Sequence, residues 1–335
     1  MPRRPERRPP PGTRPRRVGL LTNPRSGGNR RGLGRLHALL AAHPEVVHRQ
    51  AVTPEQIASA LRNLAEEEVE VLAVNGGDGT IQAALTALFE ERPFPRLPLL
   101  ALPLAGTTSM TARDVGLGGS RLEALARLFS WAGGKPVQAA TVRRPVLRVR
   151  AYPEAAPVYG MFFGIGAVYQ GVEYFHRRIY GLGLRGELSS GLAILRCLWA
   201  FARGGGGLLR PAEVSLSVDG EPDRPGRYLL ALVSSLERLL VGLRPYFGSG
   251  PGPLHFTAVS ARPRHFVGAL PALTCGRPTR WATPANGYVS RLVGEVRLAL
   301  DSGFVVDGER FPTDPKKGPV VVDKGGDAAF LRLYG

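Results

Sequence analysis

The sequence predicts an α/β fold: an N-terminal three-layer α/β domain with a parallel sheet, followed by a second, mainly antiparallel β domain, sandwich or barrel. Three observations predict it. An apolar strand, a Gly-rich polar loop and a helical segment follow one another three times within the first ~120 residues, the pattern of a parallel sheet covered by helices. Near residue 140 the texture changes to short alternating segments separated by Gly and Pro turns. The length, 335 residues with 44% hydrophobic content, is enough to bury two cores.

Taken in order, residues 1 to 17, "MPRRPERRPPPGTRPRR", hold seven arginines, one glutamate and six prolines, a composition that cannot build a packed core. Residues 1 to 16 are expected to be a disordered tail, either a solvated extension or an electrostatic membrane tether. Residues 18 to 21 read as a buried strand, followed by "TNPRSGG" and a helix whose Leu33, Leu36, Leu39 and Leu40 share a face. Thr53-Pro54-Glu55-Gln56 is a helix start, with Thr as cap and Pro at the first helical position. Then "VEVLAVN" is a strand, "GGDG" a corner and "TIQAALTALFEE" a helix. "LPLLALPLAGTTSMTARDVGL" repeats that scheme. The three polar loops fall at the carboxyl edge of the sheet, where open α/β sheets bind ligands.

In the second half, "VLRVR" at 146–150, "EVSLSVDG", "RYLLALVSS", "LHFTAVSAR", "EVRLALDSG" and "FVVDGERF" read as strands, with one helix near 187–203 and a flexible loop at the glycines 204–207. The expected domains are 17–138, completed by 324–335, and 139–323. The formal charge of +17 points to an anionic partner. A nucleic acid is not expected, because the basic tail carries no aromatic residue. Cys197 and Cys275 form neither a metal spacing nor a disulfide framework, and no segment has the length of a membrane span free of charges. The expected placement is cytoplasmic, peripheral to a membrane.

The corners carry the chemistry. A strand ending in glycines and opening a helix aims backbone N–H groups and the positive end of the helix dipole at one spot, a seat for phosphate. Gly76, Gly77, Gly79 and Thr80 form one such corner around Asp78. An acid there suits a metal held through water, or acceptance of a proton from an attacking hydroxyl. Asn23, Pro24, Ser26 and Gly27 form the first corner, and Gly106, Thr107, Thr108 and Ser109 the third. Leu33 stands where a Walker loop needs Lys, and "GGDGTI" is not the dinucleotide fingerprint.

Together "NPRSG" at 23–27, "GGDGT" at 76–80, "PLAGTTS" at 103–109 and "DGE" at 307–309 resemble the diacylglycerol kinase catalytic-domain family, which includes sphingosine and ceramide kinases and soluble bacterial lipid kinases. The resemblance implies a nucleotide-binding α/β domain of NAD kinase-like type followed by a β-sandwich, with the last residues returning to the first domain. It implies phosphorylation of a lipid hydroxyl by ATP with Mg²⁺, diacylglycerol first among acceptors, at an anionic membrane surface. By the same resemblance the three loops bind ATP, and Asp78 and Glu309 are the candidate metal ligands and proton acceptors. The other "DGE", at 219–221, reads as a hairpin turn. Three departures leave the lipid and a second metal site open: Ser109 and Met110 replace Asn and Asp of the third loop, Ala167-Val168-Tyr169 carries no acid, and none lies between Arg244 and Ala261. Asp114, one turn after Met110, is placed to restore a carboxylate on that face, but is expected to be an ordinary solvent-facing residue. Sphingoid bases, ceramide, phosphatidylglycerol and NAD stand as alternative acceptors, although no Asn-Glu pair of the kind NAD kinases use occurs in the chain. A catalytically weakened lipid or nucleotide binder and a homodimer also stay open.

Overall fold

The computed structural model describes residues 15–30, 32–105, 109–174 and 210–334. The arginine-rich stretch before residue 15, Gly106, Thr107, Thr108, Cys197, the expected helix near 187–203 and the glycines at 204–207 lie outside the described residues. The chain divides into two units, Met1–Arg144 with Asp327–Gly335, and Pro145–Gly326.

The first unit runs β1 (Val18–Thr22), α1 (Leu33–Ala41), β2 (Val47–Gln50), α2 (Pro54–Glu66), β3 (Val71–Asn75), α3 (Asp78–Glu90), β4 (Leu99–Ala101), α4 (Met110–Val115) and α5 (Arg121–Ala132). Its strands are parallel in the order β4-β3-β1-β2, and the chain's last strand, Val320–Tyr334, returns beside β4 through Phe330 and Leu100. Every residue of β1 and β3 is buried, as expected for a sheet covered on both faces. On one face Leu36 of α1 and Leu125, Leu128 and Phe129 of α5 pack against Val18, Leu20, Val71 and Ala73. On the other, a Cβ at Gly19 would sit 3.0 Å from Leu64 of α2, so the missing side chain lets that helix approach.

Thr53 begins α2 with a capping box: Gln56 N donates to its Oγ1 at 3.3 Å, and Gln56 Oε1 accepts from Thr53 N at 3.4 Å. Such a cap contributes about 1 kcal/mol. Two elements of the first unit escaped the sequence reading. Strand β2, "VHRQ", sits at the sheet edge and is only half-buried, so it carries no apolar signature. Helix α5 follows α4 directly, without a strand before it. Arg16, expected in the tail, is held in place: its N donates to Ala132 O at 2.9 Å and its guanidinium lies 4.5 Å from the Trp131 ring.

The second unit begins within β5 (Gln138–Arg150) and continues through β6 (Val158–Gly160), β7 (Phe162–Gly166), α6 (Ala167–Tyr174), β8 (Ala212–Val218), β9 (Arg224–Ser234), β10 (Leu254–Ser260), α7 (Phe266–Cys275), β11 (Tyr288–Val293), β12 (Glu295–Leu300), β13 (Phe304–Val306), β14 (Glu309–Phe311) and β15 (Val320–Tyr334). Its resolved pairings are antiparallel: β14-β13-β7-β9-β8-β12-β15 is continuous, and β10 joins β9 to β11. Leu147, Phe163, Val214, Ala231, Phe256, Val296, Phe304 and Val322 share one core. Five of the six segments read as strands hold one strand each, and the sixth, 304–311, is the hairpin of β13 and β14. The run "FFGIG" of β7 is buried throughout and so shows no alternation, and α7 contains Pro271 and no polar face. No helix among the described residues is long and apolar enough to cross a membrane.

Candidate active site

The carboxyl edge of the parallel sheet gathers the first two corners and the two described ends of the third. Thr22 and Asn75 end β1 and β3 side by side in register, so the loops that follow start together. Asn23 N donates to Asn75 O at 3.1 Å, and the Asn23 side chain donates from Nδ2 to Thr80 Oγ1 at 2.9 Å. Its Oδ1 accepts from Arg25 N at 3.0 Å, which turns the chain after Pro24. Ser26 Oγ accepts from Gly77 N at 3.1 Å, a direct bond between the first and second corners. Gly28 N donates to Ala105 O at 3.0 Å, and a Cβ at Gly28 would stand 2.7 Å from that oxygen, so the first and third loops touch backbone to backbone. Gly76 is equally constrained, since its Cβ would lie 2.4 Å from that of Thr80.

Gly27 and Gly28 remain exposed, and Gly77 and Gly79 partly so, at the start of α3. That helix opens with the acid itself. Asp78 is buried, 7% exposed, and its carboxylate reaches across to the third loop: Oδ2 accepts from Met110 N at 3.1 Å and Oδ1 from Thr111 N at 3.2 Å. Both donors are first-turn groups of α4, which have no partner within their own helix. The negative charge also meets the positive end of that helix. Ser109, just before α4, is 2% exposed and left-handed (φ 44°, ψ 42°), which turns those N–H groups toward Asp78.

Asn29 was not foreseen. It is fully buried and donates from Nδ2 to Asn23 O at 2.7 Å and Asn75 O at 2.9 Å, while its Oδ1 accepts from Arg121 of α5. Burial pushes the Arg121 guanidinium below its ordinary pKa. The available signal was a third polar residue in a loop that already needed Asn and Ser. Asp114 corrects an expectation: rather than facing solvent it is 4% exposed, with Oδ2 3.6 Å from Arg144 Nε and its carbonyl bonded by Arg332.

Glu309 belongs to the second unit, exposed at the start of β14. The two "DGE" segments prove alike in the backbone. Asp219 and Gly220 (φ 51° and 78°) and Asp307 and Gly308 (φ 47° and 88°) are both two-residue turns with positive φ. Each Asp then accepts two N–H bonds from a neighbouring chain segment, Asp219 from Gly294 and Glu295 at 2.7 and 2.9 Å, Asp307 from Met161 and Phe162 at 2.9 Å. Turn geometry therefore explains both, and Asp307 rather than Glu309 is the buried acid of the pair, 2% exposed. Glu221 forms an ion pair instead: its carboxyl is held low by its bond to Arg291 at 2.6 Å.

Residues 17–141 match the diacylglycerol kinase catalytic domain family. No curated protein sequence matches the chain at a significant level. Among solved structures, a diacylglycerol kinase from Bacillus anthracis str. Sterne shares 17% identity and a TM-score of 0.56 over 95% of this chain and 97% of that one. A candidate diacylglycerol kinase from the same organism gives 17% identity and a TM-score of 0.58 over the same shares. These structures establish the likeness of fold, and the family match over residues 17–141 supports a kinase.

Proposed function

We propose that the chain is a lipid kinase that transfers the γ-phosphoryl group of ATP, with Mg²⁺, to a lipid hydroxyl, diacylglycerol being the first acceptor to test. The observation that carries this reading is the bonded set of loops at the sheet edge, within the stretch that matches the kinase domain.

The residues fit a nucleotide. Gly28 and Gly76 have no room for a side chain, and the exposed backbone at Gly27, Gly28 and the opening of α3 suits phosphate oxygens. They also fit a metal held mainly through phosphate and water. Asp78 brings a carboxylate to the head of α3, and Mg²⁺ needs only one or two carboxylates in such sites.

ATP with Mg²⁺ supplies the phosphoryl group and neutralises charge on it. The chain's own part is positioning. Asn23 and Ser26 fix the first loop to Thr80 and Gly77, so donors of two loops face one volume. Asp78 binds the third loop to the head of α3 and thereby sets where an acceptor hydroxyl can stand. Glu309, exposed and without an ion pair among the described residues, is the alternative metal partner and the group proposed to take the hydroxyl proton. The Arg-rich tail and the basic charge suit an enzyme working at an anionic membrane surface.

The test offers labelled Mg-ATP with micelles of diacylglycerol, sphingosine, ceramide or phosphatidylglycerol, and separately with NAD. Label in one lipid supports the proposal and names the acceptor. Label only in NAD, or in nothing, ends it.

A further inference from the structure

The second unit carries an apolar surface with a basic border that the kinase reading does not use. Helix α7 has no charged residue along its ten positions, yet only Ala269 and Ala272 are buried. A helix apolar on every side is normally enclosed by protein or meets lipid. Four large hydrophobic side chains are exposed among the described residues, and two lie here: Val267 on α7, 69% exposed, and Val241, 46% exposed. Val241 occupies the 239–243 turn, which is tied to the end of α7 by Arg244 N donating to Thr274 O at 2.9 Å. It adopts φ 52° and ψ 24°, a costly conformation for a β-branched residue, and so displays its side chain to solvent.

The charges around this surface have one sign. From residue 238 to residue 294 the sequence contains seven arginines and no aspartate or glutamate. Arg262 and Arg264 precede α7, and Arg277 and Arg280 follow it, all exposed and without a carboxylate partner among the described residues. Arg280 lies over the Trp281 ring, 4.5 Å from its centre. Trp281 in turn fits over Gly268, where a Cβ would come within 2.2 Å of the indole. An apolar face edged by arginines, with an indole between them, matches the boundary of an anionic bilayer, where side chains reach acyl chains and guanidinium groups reach headgroups. A second copy of the chain fits poorly, because pairing these faces would bring arginines against arginines.

We infer that α7 and the 239–243 turn dock this protein onto an anionic phospholipid bilayer, with Val267 and Val241 entering the acyl boundary and Arg262, Arg264, Arg277 and Arg280 meeting phosphate headgroups. This deepens the lipid-kinase reading by naming the surface that meets the membrane, but it is tested by binding, so it can fail or stand apart from phosphorylation.

The full chain is sedimented with vesicles of phosphatidylcholine alone or mixed with phosphatidylglycerol. High salt screens the contribution of residues 1 to 14, since the screening length falls to about 3 Å near 1 M. At high salt V241D/V267D should bind mixed vesicles on the order of tenfold more weakly, about 1.4 kcal/mol, with unchanged thermal unfolding. At low salt R262Q/R264Q/R277Q/R280Q should narrow the preference for mixed over neutral vesicles. Should the Asp variant unfold, V267S and the fluorescence of the unaltered chain carry the test. Brominated lipid should quench a component that W281F lacks. Unchanged binding in the variants, or no Trp281 quenching, overturns the proposal. So does a dimer in sedimentation velocity that V267S dissociates, since that would make the face a contact between copies.

Discussion

Single residues define the site more tightly than their spacing suggested. Asp78 was expected to manage a metal or a proton. In the structure it also holds two N–H groups of α4, so it organises the third loop. D78N keeps the shape but turns a donor toward a donor, losing one charge-assisted bond and weakening the other. We expect phosphoryl transfer to fall at least ~100-fold and stability by about 1–3 kcal/mol, read by lipid kinase assay and thermal unfolding; unchanged activity would sink the mechanism. Tyr288 tests the opposite case. It is fully buried, its hydroxyl has no hydrogen-bond partner among the described residues, and burial pushes its pKa up to about 12. Y288F removes an unpaired polar atom and leaves the ring, so it should unfold at the same or a higher temperature, whereas a typical Tyr to Phe change that breaks a bond costs roughly 1 kcal/mol. Asp78 and Ser26 were legible because glycine and polar residues clustered at strand ends. Asn29 and Asp114 were not, since nothing in a lone polar residue says which neighbour will bury it.

Elements were read where periodicity was strong and missed where their surroundings supply the stability. Strand β2 is an edge strand of polar residues, held by β1 through the backbone and by His48 Nε2 facing Thr22 Oγ1 at 3.0 Å. Burial first, then His37 and Arg49, hold the His48 imidazole below its ordinary pKa. Unfolded, the ring takes its proton near about pH 6.5; folded, it does so only at lower pH. Between those values the unfolded chain binds more protons, so stability is full above the window and falls as pH drops through it. H48Q should flatten that part of the profile, measured by thermal unfolding from about pH 7.5 to 5; an identical slope in the variant would assign it elsewhere. The two Asp-Gly hairpin turns make a matched pair at the same scale. Both acids accept two N–H bonds, but Asp307 is buried and Asp219 exposed, so D307N should cost about 1–3 kcal/mol and D219N less.

Across the molecule, charge and chain path carry what no element does alone. Residues 1 to 14 hold five arginines and one glutamate, a net +4 of the formal +17, so most of the basic character belongs to the rest of the chain. Because Arg16 is bonded to Ala132, a deletion should stop at residue 14. That shortened chain should keep its activity in micelles and its thermal unfolding, and lose only the tail's share of the salt-sensitive binding to anionic vesicles. Loss of activity in micelles would give those residues a role in the site. The sequence by itself determined the two-part α/β and β organisation and the three loops, because strand periodicity, glycine at corners and Thr-Pro at a helix start act over a few residues. Only the tertiary structure decided which backbone groups Asp78 binds, that Asp307 is the buried acid of its turn, and that the last strand pairs beside β4. Those outcomes depend on partners about 30, 145 and 230 positions away, where the need to satisfy every buried polar group chooses the contact and no local pattern records it.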